Sequence, residues 1–106
     1  MVRIWRTRVD ADRLDEYERF ASERSKPMFE AQQGFRGVLF ARAGGACAVI
    51  SIWRDRDAVE QLENSKSYQQ TVSAIVATGL LIDDSSVEVL ELHGEVSIDA
   101  DTLRPR

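Results

Sequence analysis

The sequence predicts a single small α+β domain, because three features of its 106 residues agree. Four runs rich in β-branched and aromatic residues indicate strands. Two segments with apolar residues at helical spacing lie between the first and second strands and between the third and fourth. This order, strand–helix–strand–strand–helix–strand, predicts a ferredoxin-like βαββαβ fold, a four-stranded antiparallel sheet with helices on one face. We expect that domain at residues 1–94 and a polar C-terminal tail at 95–106.

The first strand and the first helix are predicted within the N-terminal third of the chain. Residues 2–9 read as a strand, and either Asp10 or Asp12 is suited to cap the helix that follows. Pro27 predicts an end or a kink, because the residue before a proline avoids the helical region. The inward-facing residues of this helix are predicted to be Leu14, Tyr17, Phe20 and Ala21.

The other three strands are predicted at 35–42, 47–53 and 86–93. Gly44 and Gly45 separate the second strand from the third, which indicates a hairpin between antiparallel neighbours. Asp55 is predicted to cap a short helix, and Ser67 with Gln70 fits a capping box for a further helix that stops at Gly79. The inward-facing residues of that last helix are predicted to be Tyr68, Val72, Ile75 and Val76.

The central strands are apolar on both faces, which predicts a partner for the sheet. An open sheet with one wet face alternates apolar and polar residues, whereas 38–41 and 48–53 are almost continuously apolar. The helices cover one face only, and the chain offers no other element long enough for the second. Because two-fold contacts are the commonest oligomer symmetry, we expect a homodimer.

Composition excludes several classes of function. The net charge of −4 argues against a nucleic-acid partner, and Arg3 faces away from Arg6 and Arg8 in a strand, so these arginines form no common patch. No apolar run is long enough for a membrane span, and the charged N-terminus is unlike a signal peptide, so we expect a cytoplasmic protein. With one cysteine, Cys47, and one histidine, His93, neither a disulfide nor a zinc site is predicted.

Three segments resemble antibiotic biosynthesis monooxygenase-like proteins. They are the first strand followed by Asp-Arg-Leu-Asp-Glu-Tyr at 12–17, Gly-Phe-Arg-Gly at 34–37, and Ser-Ile-Trp-Arg-Asp-Arg-Asp-Ala at 51–58. The resemblance covers residues 2 to 93 and implies the dimeric α+β barrel fold. It also implies one of three activities: cofactor-independent oxygenation of aromatic polyketides or quinols, haem binding or degradation, or binding of a small hydrophobic ligand without turnover.

The haem branch of this family uses an Asn on the first strand, a Trp on the second helix and a His further on. Residues near those positions are Arg6, Thr7, Leu62 and Val72. Because none of them matches, haem is the least favoured ligand. The resemblance then favours a cofactor-independent monooxygenase acting on an electron-rich aromatic substrate, with no cofactor and no metal. The alternative is a non-catalytic dimer that binds a small aromatic or hydrophobic ligand.

The predicted catalytic residues are donors of the kind that such an oxygenase needs around an apolar pocket: Trp53, Arg36, Tyr68 and Asn64. Preorganised donors stabilise the oxyanion that develops when a deprotonated phenol or quinol reacts with oxygen. Each also has a structural interpretation: Trp53 as a core residue, Arg36 as a surface charge, Tyr68 as core packing and Asn64 as a helix terminus. His93 is a candidate base, because its ordinary pKa lies near neutrality.

Overall fold

The structure is a computed structural model that describes residues 1–94, 97 and 99. The predicted tail at 95–106 therefore lies almost wholly outside the described residues. The strands are β1 (Val2–Arg8), β2 (Phe35–Ala43), β3 (Ala46–Trp53) and β4 (Ser86–Leu90). The helices are α1 (Leu14–Phe20), α2 (Lys26–Glu30), α3 (Arg56–Asn64) and α4 (Lys66–Ala77), with a 3₁₀ turn at Ala11–Arg13 and a π-helical turn at Ala21–Ser25.

The four strands form one antiparallel sheet in the order β2–β3–β1–β4. This order confirms the predicted ferredoxin-like fold, with β1 and β3 in the centre and β2 and β4 at the edges. Arg3 lies opposite Ser51 and Trp5 lies opposite Val49, so these residues share one face of the sheet. Arg6 pairs with Ala48 and lies on the other face, as the alternation of side chains along a strand requires.

The helices cover the face that carries the odd-numbered residues of β1 and β3. Residues of β3 alternate strictly between buried and partly buried, with Cys47, Val49, Ser51 and Trp53 buried. Two groups of buried residues lie between this face and the helices. One contains Met28, Phe29, Val49, Trp53, Ala58, Val59 and Leu62, and the other contains Val9, Tyr17, Cys47, Ile75 and Leu80.

The prediction at Pro27 was an end or a kink, and the helical segment after β1 does not end there but continues through the proline with an irregular turn before it. Proline lacks the N–H that would bind the carbonyl of Glu23 in a regular α-helix. The turn before it widens instead: the amide of Lys26 donates to the carbonyl of Ala21, five residues back. The extra residue in this π-helical turn lets α1 and α2 continue as one helical arm.

The helix caps agree with the prediction at two positions and differ at one. Asp10 accepts from the amide of Asp12 at 3.0 Å, and Asp55 accepts from the amide of Ala58 at 2.9 Å. The cap of α4 is Ser65 and not Ser67, since the hydroxyl of Ser65 accepts from the amide of Tyr68 at 3.2 Å.

Two further predicted features of the C-terminal half are wrong. Val76 was expected to face inward, but 60% of it is exposed, because Ile75 takes the buried position of that turn. The fourth strand ends at Leu90 instead of residue 93. Leu90 pairs with Val2, the first residue of β1, so the residues after Leu90 have no neighbouring strand to bind.

The face of the sheet without helices is largely apolar. Val2 pairs there with Ile52, and Ile4 with Ile50, which is also opposite Leu39. All five side chains are only partly buried. The prediction of an uncovered apolar face is confirmed for the described residues, whereas a partner subunit remains a proposal.

Candidate active site

A cavity lies between the helix-covered face of the sheet and the helices α1, α2 and α4. Its cavity volume is about 50 Å³, and about 440 Å³ when the open space at its mouth is included. The enclosed part is smaller than a typical small-molecule site, so a ligand would also occupy the open mouth. Most of the wall is aromatic or aliphatic; the lining residues are Arg3, Trp5, Tyr17, Phe20, Ser25, Met28, Phe29, Val49, Tyr68, Thr71, Val72 and Ile75.

Arg3 places a buried positive charge in the wall of this cavity. Its position on the helix-covered face of β1 leaves only 3% of its side chain exposed. Its Nη2 donates to the hydroxyl of Tyr68 at 2.7 Å, and its Nε donates to Oε2 of Glu63 at 3.2 Å. The guanidinium carbon also lies 5.1 Å from the centre of the Tyr68 ring. Because a buried charge is costly unless it is paired and hydrogen-bonded, α3 and α4 each supply one partner.

Tyr68 is held in the cavity wall by the start of α4. The cap formed by Ser65 fixes the amide of Tyr68, and Ser65 in turn donates to the carbonyl of Leu62 at 2.8 Å. The hydroxyl oxygen of Tyr68 accepts from Arg3, which leaves its own proton available to a ligand. The Tyr68 hydroxyl is polarised because it accepts a hydrogen bond from the Arg3 cation, and this strengthens the hydrogen bond that it can donate.

Another polar group in the wall is the phenol of Tyr17, on α1. Tyr17 is 4% exposed and contacts Cys47 of β3, which is buried to a similar degree. Burial raises the pKa of Tyr17 well above its ordinary range, and the neighbouring Cys47 raises it further. Burial likewise raises the pKa of the Cys47 thiol. Both groups therefore stay protonated and neutral at physiological pH.

Of the four predicted catalytic residues, only Tyr68 lines the cavity. Trp53 is 1% exposed, donates from Nε1 to the hydroxyl of Ser51 at 2.8 Å, and packs its ring against Phe29 and Phe35. It lies behind Phe29 in the core, which agrees with its structural interpretation.

Arg36 and Asn64 lie outside the cavity wall. Arg36 is the extra residue of a β-bulge between Phe35 and Gly37, and its side chain is exposed. Asn64 donates to the carbonyl of Glu60 at 3.0 Å at the end of α3. His93, the candidate base, is exposed beyond the end of β4. The four residues are therefore not brought together, and a catalytic role for any of them remains a prediction.

Arg3 is a candidate site residue that the sequence motifs did not indicate, although strand alternation places it on the opposite side from Arg6 and Arg8. The available signal was its position in the alternation with Trp5 and Val9, both apolar. An arginine on the apolar side of a central strand is unusual, because arginine is almost never fully buried without a partner.

Among the described residues, no three His, Cys, Asp or Glu side chains are grouped so that they could hold a metal ion. None of the described helices combines the length and apolar composition that crossing a membrane requires.

The fold defines the class of ferredoxin-like α+β domains. Within that class, residues 1–74 match the antibiotic biosynthesis monooxygenase family, and the chain belongs to this family. No curated protein sequence matches the chain.

Several solved structures share the fold. The protein Rv0793 from Mycobacterium tuberculosis is 21% identical, with a TM-score of 0.72 over 91% of this chain and 97% of that one. The NE2512 protein of unknown function from Nitrosomonas europaea is 14% identical, with a TM-score of 0.72 over 92% and 94%. A mutant of SnoaB, a cofactor-independent oxygenase from Streptomyces nogalater, is 18% identical, with a TM-score of 0.60 over 87% and 93%.

Proposed function

We propose that the protein is a cofactor-independent monooxygenase that oxidises an electron-rich aromatic such as an anthrone or a quinol-like compound. The observation that carries this proposal is the donor pair of Arg3 and Tyr68 in the wall of an otherwise apolar cavity. Family membership and the similarity to a cofactor-independent oxygenase support the same reaction class.

The reaction needs only the substrate and molecular oxygen. For an anthrone, loss of a proton from the substrate gives a delocalised anion. Its charge is concentrated on the former carbonyl oxygen of the substrate, which lies next to the donor pair. The reactive ring carbon then forms a bond to O₂, and protonation gives a hydroperoxide. The O–O bond breaks as that carbon loses its second hydrogen, which leaves a carbonyl group and water. O₂ is reduced by four electrons, its two oxygen atoms appear as C=O and H₂O, and no external reductant is consumed.

The chain contributes positioning and charge stabilisation to this reaction. Aromatic side chains such as Trp5 and Phe29 in the cavity wall are suited to hold a flat ring and to exclude water from it. Arg3 and the Tyr68 hydroxyl stabilise the negative charge on the oxygen attached to the substrate ring. The proposal keeps Tyr68 from the predicted catalytic residues and adds Arg3 to it.

We also propose that the protein works as a homodimer through the apolar helix-free face of the sheet. Partly buried Ile4, Leu39, Ile50 and Ile52 lie there with no helix over them. A second copy of the same face would remove these side chains from water, and a two-fold contact is self-complementary.

The test of the activity is oxygen uptake by the purified protein, in the presence of a chelator, with anthrones, naphthalenediols and quinols as substrates. We expect uptake above the autoxidation rate, and a fall in kcat of about a hundredfold for Tyr68→Phe combined with Arg3→Met. Arg19→Met is the matched control, because it removes an exposed arginine outside the cavity wall, and it should retain wild-type uptake. Equal uptake by the wild type and the double variant would contradict the proposed site.

The alternative is ligand binding in the same cavity without turnover. This alternative is favoured if anthrones, naphthalenediols or quinols bind saturably and the double variant loses that binding, while oxygen uptake by the wild type equals the autoxidation rate with every compound.

A further inference from the structure

The cavity wall contains a cation and no group that could serve as a base. Among the described residues that line it, Arg3 is the one with a formal charge at neutral pH. The other polar groups of the lining are the hydroxyls of Tyr17, Ser25, Tyr68 and Thr71 and the indole N–H of Trp5. None of these is a carboxylate, an imidazole or an amine that could accept a proton from a ligand near neutral pH.

The counter-charge of Arg3 lies outside the cavity. Glu63 is absent from the lining, and 40% of its side chain is exposed, so solvent screens its charge more than that of Arg3. The other neighbours of Arg3 across the sheet, Ser51 on β3 and Val89 on β4, are uncharged. Tyr68 is the facing group from α4. On the cavity side, therefore, the guanidinium dominates the electrostatic potential.

The guanidinium also retains free donors. Of its five N–H bonds, Glu63 and Tyr68 engage one on Nε and one on Nη2, and Nη1 has no partner among the described residues. Every fully buried side-chain N or O atom in the described part of the chain has a hydrogen-bond partner. An unpaired Nη1 is therefore not fully buried, and because Arg3 lines the cavity we take Nη1 as the donor that meets a ligand there.

We propose that the cavity takes its aromatic ligand as the monoanion, with the deprotonated hydroxyl against Nη1 of Arg3 and the hydroxyl of Tyr68. Arg3 is then the residue that selects an ionisable ring hydroxyl over a neutral ring or its methyl ether. The proton of the ligand leaves to bulk water on binding, since the described lining residues offer no acceptor for it. This inference rests on the proposed function only for the aromatic nature of the ligand, because binding can be measured without oxygen.

The experiment uses 4-nitrophenol, which is redox-inert here and whose phenolate is yellow whereas its neutral form is not. The protein is titrated into this probe under nitrogen, one pH unit below the probe's own pKa. We expect saturable growth of the phenolate absorbance and a pKa for the bound probe at least one unit lower, which corresponds to about a tenfold preference for the anion. 4-Nitroanisole, the methyl ether of the same ring, should bind at least tenfold more weakly.

Three variants locate the effect. Arg3→Met should abolish the growth of phenolate absorbance on binding and leave the affinity for 4-nitroanisole unchanged, which also demonstrates that the cavity is still folded. Arg3→Lys keeps the charge and should retain part of the signal. Arg6→Met is the matched control, since Arg6 lies three residues away on the helix-free face, and it should behave as wild type.

Equal affinities of the wild type for the phenol and its methyl ether, or a bound probe that stays colourless, would overturn the inference without the need for any variant. A phenolate signal that survives Arg3→Met would overturn the assignment to Arg3. Phenolate binding without oxygen uptake supports the inference of anion binding and contradicts the proposed monooxygenase activity. Oxygen uptake without phenolate binding supports the activity and contradicts the inference.

Discussion

The two faces of the sheet carry arginines in quite different environments. Arg3 and Arg6 lie on the same strand, yet 3% of the Arg3 side chain is exposed and 52% of the Arg6 side chain. Arg6 pairs with Glu88 on the helix-free face, where solvent screens the pair and its contribution to stability is small. Arg3 is enclosed by helices and directed at a cavity. The same residue type is therefore a surface charge on one face and a candidate binding group on the other.

The largest expected effect is a loss of folding stability on substitution of Trp53, which is buried on the helix-covered face. Trp53→Ala removes a fully buried ring that packs against Phe29 and Phe35, and it should lower the free energy of unfolding by about 3–5 kcal/mol. Urea denaturation at fixed protein concentration measures this change. Arg36→Ala, at the exposed bulge beside it, should stay within about 0.5 kcal/mol of wild type. A cost below about 1 kcal/mol for Trp53→Ala would mean that its packing is not what holds this end of the core.

The next largest effect concerns assembly on the helix-free face. Ile50→Lys places a charge at the centre of that face, opposite Ile4 and Leu39, and should raise the dissociation constant of the dimer at least a hundredfold, about 2.8 kcal/mol. Sedimentation velocity across a dilution series measures it, and circular dichroism checks that the fold is kept. Arg6→Met, which introduces no charge on the same face, is the control and should have a smaller effect. A wild-type protein that sediments as a monomer at all concentrations would remove the dimer proposal.

The smallest effect is a pH dependence confined to the helix-covered face. The folded protein holds the Tyr17 proton that the unfolded chain releases near pH 10, because burial raises the pKa of this phenol in the folded state. The contribution of this proton to the free energy of unfolding is therefore fully present below about pH 10. It is lost as the pH rises further, by at most about 1.4 kcal/mol per pH unit. Urea unfolding of wild type and Tyr17→Phe between about pH 9 and about pH 11 should give a shallower decline for the variant. Parallel declines would mean that Tyr17 ionises without cost in the folded state.

The sequence predicted the fold better than the site, for physical reasons. Periodicity and turn residues are local signals, and they were sufficient for the strand order and for the caps at Asp10 and Asp55. A site depends on which side chains converge from distant elements, and Arg3 meets Tyr68 across 65 positions of sequence. Residue type alone favoured Trp53 as a catalytic donor. Its indole N–H instead donates to Ser51 within the core.

The helical arm gives a similar lesson at Pro27. The residue before a proline disfavours the helical region, yet Lys26 keeps helical angles, φ −58° and ψ −52°, while the turn over Ala21–Ser25 before it widens. Burial of Met28 and Phe29 against the sheet favours continuation of the arm, and this tertiary packing outweighs the local signal.

That widened turn also shapes the cavity, because Phe20 and Ser25 flank it and both line the wall. In a regular α-helix, residues five positions apart point about 140° away from each other, whereas a turn that closes over five residues returns them to one side. The wider turn that immediately precedes the proline therefore decides which of these side chains reach the cavity. Relatives with a regular helix and one residue fewer at this point are expected to keep the fold and to have a differently shaped cavity.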